Sequence, residues 1–164
     1  MYPASAKDGK ALVRRFYEEL YDRRNLEILE ELFSPEYVHH FPDVLGKRMG
    51  FGDFRKRELQ LSGAFPDRKI YIEDQIAEDD RVATRLVTRG THTGDLPNIP
   101  ATGKKVEVDS IVIHRIEDGR IAEGWESYDS LGMMMQLDVI HMVSTLGKSR
   151  HGRVDFPPIR TWPI

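Results

Sequence analysis

The sequence predicts an α+β fold, a reading that rests on a change of period and on where the turns fall. Apolar residues recur at helical spacing through the N-terminal part of the 164 residues, and from Lys69 onward the period becomes two. Hairpin-type turns separate the later runs, so helices come first and paired antiparallel strands follow.

Leu12, Val13, Phe16, Leu20 and Tyr21 share a helical face, with Arg14, Arg15, Glu18 and Glu19 between them, which predicts an amphipathic first helix. After a polar break at 22–25, Leu26, Leu29, Leu32 and Phe33 predict a second, short helix. Ser34-Pro35 should end it, because the residue before a proline is pushed out of the helical region. Residues 37–41 read as extended. Gly46, Gly50 and Gly52 break the chain before a third helix, in which Phe54, Leu61 and Phe65 lie on one side and which Pro66-Asp67 closes.

Strand spacing follows at Ile70, Ile72 and Ile76, at Val82, Thr84 and Leu86, at Val106, Val108, Ser110 and Val112, and over 120–129. Glu78-Asp79-Asp80 divides the first two runs. Asp118-Gly119 is a hairpin signal joining the strand that ends at Ile116 to the one that starts at Arg120. A long connection, GTHTGDLPNIPATGKK at 90–105, lies between. Ile111 and Ile113 are apolar as well as Val112, so this strand is expected to bury both faces, one of them against another element or subunit. Apolar spacing at Leu131, Met134, Met135, Val139, Met142 and Val143 predicts a last helix over 131–146. Its three consecutive methionines, Met133 to Met135, read as core filling in preference to a binding surface. A single domain over 1–146 with a Pro-containing tail at 147–164 is the expected organisation.

Composition narrows the function. Hydrophobic residues at 40% and charged residues at 31% describe one soluble domain able to bury a core. The net charge of -3, with Lys and Arg scattered along the chain, gives no reason to expect nucleic acid or an anionic membrane as partner. The absence of cysteine removes disulfides, thiolate zinc sites and cysteine nucleophiles. The first residues lack an apolar signal core and no apolar run is long enough to cross a membrane, so a cytoplasmic location is expected. Neither a dinucleotide loop, a phosphate loop nor a serine nucleophile elbow is present.

Chemistry concentrates in RIAEGWESYD at 120–129. Glu126 stands beside Trp125, and Asp129 follows three residues later. A carboxylate packed against an aromatic loses hydration, which should raise its pKa toward the range useful for proton transfer. Strand parity places Ala122, Gly124, Glu126 and Tyr128 on one face and Glu123, Trp125, Ser127 and Asp129 on the other. Glu126 is therefore the candidate acid/base, with Asp129 either a second acid or the cap of the following helix. His39 and His40, being adjacent, face opposite ways and cannot chelate one metal as a pair; one of them should line a pocket. Arg85 sits among Val82, Ala83, Leu86 and Val87 and needs a partner, whether Glu126, a substrate oxygen or a surface acid. Contact with Glu126 would oppose the effect of burial, so the sign of that residue's net shift stays open. His114 has inward parity and suits a core position or a proton shuttle. His92 suits a pocket mouth or a stabilised turn, and Trp125 a substrate contact. No metal or organic cofactor is expected.

The segments FSPEYVHH (33–40), AFPDRKIYIEDQIAEDDRVATRLVTRGTHTG (64–94), PATGKKV (100–106) and HRIEDGRIAEGWESYDSLGMMMQLD (114–138) resemble, in order, the SnoaL-like polyketide cyclase family of the NTF2-like superfamily. The resemblance implies an α+β cone or barrel, its helices packed on a strongly curved, mostly antiparallel sheet that encloses a pocket. It also implies cofactor-free intramolecular aldol ring closure, as in the founding member, which closes the last ring of nogalonic acid methyl ester with one acidic residue. That acid falls at Glu126, where the family's aspartate has become a glutamate. His39 falls where the founding cyclase has an asparagine, and Gly124 where other members carry a histidine, a departure that should leave more room and one fewer proton carrier. A homo-oligomer, dimeric through the outer sheet face, is expected. Isomerase, dehydratase or hydroxylase chemistry on the same scaffold, or a ligand-binding module without turnover, are the alternatives.

Overall fold

The structure, a computed structural model, describes residues 6–41 and 48–140. Helix α1 (Ala6–Tyr17) buries Val13, Phe16 and Tyr17 and runs into a π-helical turn (Glu18–Asp22) that buries Leu20. The wide turn, closed by the Arg23 N–H on the Glu18 carbonyl at 3.2 Å, stacks Tyr21 on Tyr17 with ring centres 5.9 Å apart. Helical spacing alone does not announce such a turn.

Helix α2 is shorter than expected, Ile28–Leu32, because Phe33 is already extended and opens strand β1 (Phe33–His40). Ser34-Pro35 therefore lies inside the strand rather than at a helix end, and the pairing register of β1 shifts between Phe33 and Val38. A three-residue strand β2 (Arg48–Gly50) precedes helix α3 (Phe51–Ala64), where glycines had suggested only a break. Strands β3 (Lys69–Glu78), β4 (Arg81–Thr91), β5 (Lys105–Glu117) and β6 (Arg120–Tyr128) follow the period-two runs, except that a register irregularity between Ile72 and Asp74 in β3 turns Ile76 to the exposed side. Asp79, Asp118 and Gly119 take positive φ at the two tight turns, as the acidic and glycine signals required. Helix α4 spans Ser130–Gln136, after which the chain turns. The helix predicted over 131–146 is thus already over at 137–140, where Asp138 takes positive φ, and residues 141–146 with the tail at 147–164 lie outside the described residues.

Among the described residues the strands form one sheet in the order β2-β1-β6-β5-β4-β3, antiparallel throughout except for the parallel β1–β6 pair. This corrects the cone or barrel expected from the sequence. The six strands lie in a single open row, not strongly curved, whose edge strands β2 and β3 do not pair with each other. Three residues of β2 offer too little edge to close the row, and the pocket is enclosed instead by helices and loops laid over one face.

That face holds the core. Val82, Leu86, Val112 and Ile116 meet Val13, Phe16, Leu29, Phe33, Tyr37 and Phe54 from the helices and β1. Each such side chain contributes roughly 1.5–3 kcal/mol when fully buried. A smaller cluster of Ala64, Phe65, Val106, Val108 and Leu137 secures the far end, with Met133 packed against it. On the opposite face Ile111 and Ile113 remain exposed in the single chain. No helix among the described residues is long and apolar enough to cross a membrane.

Candidate functional site

Parallel pairing of β1 with β6 sets His39 opposite Gly124. Because Gly124 carries no side chain, the inward side chains of Tyr37 and His39 lean across β6. The Tyr37 hydroxyl lies 2.7 Å from His39 Nδ1, and His39 Nε2 lies 3.2 Å from Glu126 Oε2. The more room expected at Gly124 is thus already filled: a Cβ there would collide with the Tyr37 hydroxyl and sit 3.2 Å from His39 Nδ1.

Burial, seconded by the charge of Glu126, holds the Tyr37 phenol well above its usual pKa, so it is a protonated donor. His39 thus bridges the two, Nδ1 toward the Tyr37 hydroxyl and an Nε2–H donating to the Glu126 carboxylate. A phenol, an imidazole and a carboxylate form one chain.

From the other side Arg57 of α3 reaches Glu126 Oε2 at 3.5 Å. Burial pushes the Glu126 carboxyl up, but the hydrogen bond from His39 and the charge of Arg57 outweigh it, and the net shift is downward. The desolvation expected beside Trp125 comes instead from the pocket walls, because Trp125 points to the opposite face. There its ring stacks on His40 at 5.2 Å, nearly parallel, and His40 Nε2 meets Glu123 at 2.7 Å.

Behind Arg57 lies a second buried carboxylate. Glu58, 2% exposed, takes Arg57 at 3.1 Å on one oxygen, with Arg68 at 2.8 Å and the Tyr21 hydroxyl at 3.0 Å on the other. Burial works against the charged form of both arginines, and the neighbouring carboxylates more than offset it, so both stay cationic. The guanidinium of Arg57 also lies 4.4 Å over the Phe41 ring.

These groups line a cavity of about 270 Å³. Its apolar walls come from Leu61, Phe65, Ile70, Val106 and Val108, and its roof from Leu96, Pro97 and Ile99 of the long loop with Met133 and Met134 of α4. The reading of Met133 to Met135 as core filling is thus corrected: Met133 and Met134 line the pocket, with Met133 alone packed on the core, and Met135 is exposed. A recess of about 40 Å³ continues past Glu126 and Arg57 toward His39, His114, Tyr17 and Ser110. Glu126 and Arg57 line both spaces, so the acid stands at their junction.

The remaining candidates are distributed differently. His114 is inward and 2% exposed, with Nδ1 unpartnered; burial, seconded by His39, lowers its pKa to about 3, so it is neutral at working pH. His92 stacks on Phe65 at 5.1 Å, and its Nδ1 accepts the Thr102 N–H at 3.2 Å, which closes the roof loop. Asp129 caps α4, its Oδ1 accepting the Gly132 N–H at 2.8 Å. Arg85 is on the outer face, 3.7 Å from the surface acid Glu73, and is not brought to Glu126. Among the described residues no group of three or more His, Asp or Glu is placed to hold a metal.

Sequence reading missed Tyr21, Tyr37, Arg57, Glu58, Arg68 and Tyr128 as site residues. One signal was available: Glu58 lies four residues after Phe54 and three before Leu61, inside the apolar stripe of α3, where a charge demands a partner.

Residues 11–137 match the family model described as SnoaL-like polyketide cyclase. Aklanonic acid methyl ester cyclase DnrD of Streptomyces peucetius is 29% identical over 131 residues, covering 77% of this chain and 88% of that protein. Among solved structures, AclR from Streptomyces galilaeus, a candidate hydroxylase, superposes with a TM-score of 0.76 at 26% identity over 86% of this chain and 91% of that one. IdmH from Streptomyces antibioticus, a candidate polyketide cyclase, does so with a TM-score of 0.69 at 31% identity over 80% and 99%.

Proposed function

The chain belongs to the SnoaL-like polyketide cyclase family, and from that premise we propose that it is an enzyme closing a carbon ring on a polyketide by intramolecular aldol addition, with Glu126 as the acid/base. The observation that carries this reading is a half-buried carboxylate, Glu126, oriented by His39 and Arg57 where an apolar cavity meets its inner recess, while the other carboxylate of the lining, Glu58, is occupied by Arg57, Arg68 and Tyr21. Such a group has one open task, which is to exchange a proton with whatever fills the cavity.

The steps balance without an added reagent. Ionised Glu126 takes the proton from a carbon flanked by carbonyls, and the C–H electron pair passes into an enolate. The enolate carbon adds to the acceptor carbonyl carbon, forming the ring bond. The resulting alkoxide recovers the proton from Glu126. A carboxylate with a lowered pKa is a weak base, so the reading applies to substrates whose C–H is acidified by two neighbouring carbonyls. His39, held by Tyr37, keeps the carboxylate aimed.

Aklanonic acid methyl ester, the compound in the name of the Streptomyces peucetius relative, is the first substrate to try. Glu126→Gln keeps the shape and removes the base. Ring closure by the parent chain should fall by about two to four orders of magnitude, the usual contribution of a general acid/base, with substrate affinity retained. Undiminished turnover in this variant would sink the assignment. The likeness to AclR favours a second reading, hydroxylation in the same cavity. Oxygen consumption coupled to product would support it, and ring closure in anaerobic buffer would exclude it.

A further inference from the structure

Arg57 touches Glu126 yet has no part in the proton transfer just described. It is also fixed unusually well, by Glu58 at 3.1 Å and by the Phe41 ring beneath it. Tyr128 lies two residues after Glu126 on the same strand face and lines the same cavity. Its hydroxyl makes no hydrogen bond among the described residues, although it feels both Arg57 and Glu126 electrostatically; burial raises its pKa and keeps it a donor. A fixed cation and an unused donor thus flank the one base.

Charge balance shows what they suit. Arg57, Arg68, Glu58 and Glu126 form a neutral set of two cations and two anions. Once Glu126 takes a proton the set carries one excess positive charge, and Arg57 keeps Glu58 at 3.1 Å but loses the charge of Glu126 on its cavity side. An anion formed at that moment in the cavity meets a preorganised cation that needs no reorientation.

We infer that Arg57 and Tyr128 form a binding site for a delocalised oxygen anion on an apolar frame, and that Arg57 is a second catalytic residue that holds the enolate oxygen. This rests on the cyclase reading of Glu126, and it predicts a ligand preference that can be measured without ring closure. The probe is 4-nitrophenol, whose absorbance reports its ionisation, with neutral 4-nitroanisole as the isostere.

Glu126→Gln imitates the protonated acid. It should bind 4-nitrophenolate about tenfold or more tightly than the parent chain, prefer it to 4-nitroanisole, and lower the pH at which the bound phenol ionises. Adding Arg57→Met should remove about tenfold or more of that affinity and reverse the ionisation shift, Arg57→Lys should restore part of both, and Tyr128→Phe should cause a smaller loss. Equal binding of phenolate and anisole by Glu126→Gln, with no ionisation shift, would overturn the inference even if the Met variant failed to fold. Phenolate preference in a chain that closes no ring would sink the cyclase reading, and with it the catalytic role of Arg57, while the anion site itself stands. Ring closure without the preference would sink this inference alone.

Discussion

Gly124→Ala tests the packing that aims the candidate base. The new Cβ would collide with the Tyr37 hydroxyl and lie 3.4 Å from Tyr37 Cζ and 3.2 Å from His39 Nδ1. None of these atoms has an easy retreat. Tyr37 is 1% exposed and wedged between Phe33 and Phe54, with ring centres 4.8 and 5.1 Å away, and its strand is paired to the one that carries Gly124. Forcing one methyl group into such a site costs about 1–3 kcal/mol. Displacing the hydroxyl from His39 adds about 1 kcal/mol for the lost hydrogen bond. The expected loss is therefore about 2–4 kcal/mol in urea unfolding. Glu126, with His39 less well held, should titrate at higher pH by carboxyl NMR. Tyr37→Phe makes room for the methyl, so the double variant should recover about 1 kcal/mol or more relative to the sum of the single changes. A Gly124→Ala protein within 0.5 kcal/mol of the parent, roughly the scatter of neutral surface changes, would refute the reasoning, as would strict additivity in the cycle.

For a ring-closing enzyme that uses ionised Glu126, kcat/KM should stay level from neutral pH down past the ordinary carboxyl value of 4.5 and fall only below it; an acid limb centred above 4.5 would show that burial wins. His114 binds its proton near pH 3 when folded and near 6.5 when unfolded, so its contribution is complete above pH 6.5 and is lost as the pH falls toward 3. Unfolding free energy should drop in that window by up to about 1.4 kcal/mol per pH unit, and His114→Leu should flatten the slope. Glu58→Ala strips Arg68 of its only ion pair among the described residues and should cost about 3–5 kcal/mol in denaturant unfolding. We propose the exposed Ile111 and Ile113 face as the self-association surface; Ile111→Glu should lower the mass measured by sedimentation, and an unchanged mass would remove that face from consideration.

Local patterns carried much of the architecture. Alternation at Val106, Val108, Ser110, Val112 and His114 holds residue by residue in β5, because one side of the strand faces a packed core. Turn chemistry at Asp118-Gly119 holds because few residues accept positive φ. Ser34-Pro35 misled because proline at the start of a strand needs no ladder hydrogen bond there, whereas the reading assumed it marked a helix end. In the site, parity separated Glu126 from Trp125 and Asp129, and the cavity shows which of the two faces is inward. Parity said nothing of the strand next to β6, so Arg85 entered as a possible partner when Arg57 is the one at hand.

By itself, then, the sequence determined the order of the main elements and most of the strand alternation, and it singled out Glu126 as the candidate acid, since these depend on spacing along one chain; the irregularity that turns Ile76 outward did not show in that spacing. Only the tertiary structure decided that the sheet stays open, that β1 lies parallel to β6 and brings His39 across Gly124, and that α3 delivers Arg57 and Glu58. Those outcomes depend on which distant segments become neighbours. The direction of the Glu126 shift is one of them: burial was visible from its own strand, and the imidazole and guanidinium that overcome it came from residues far away in sequence.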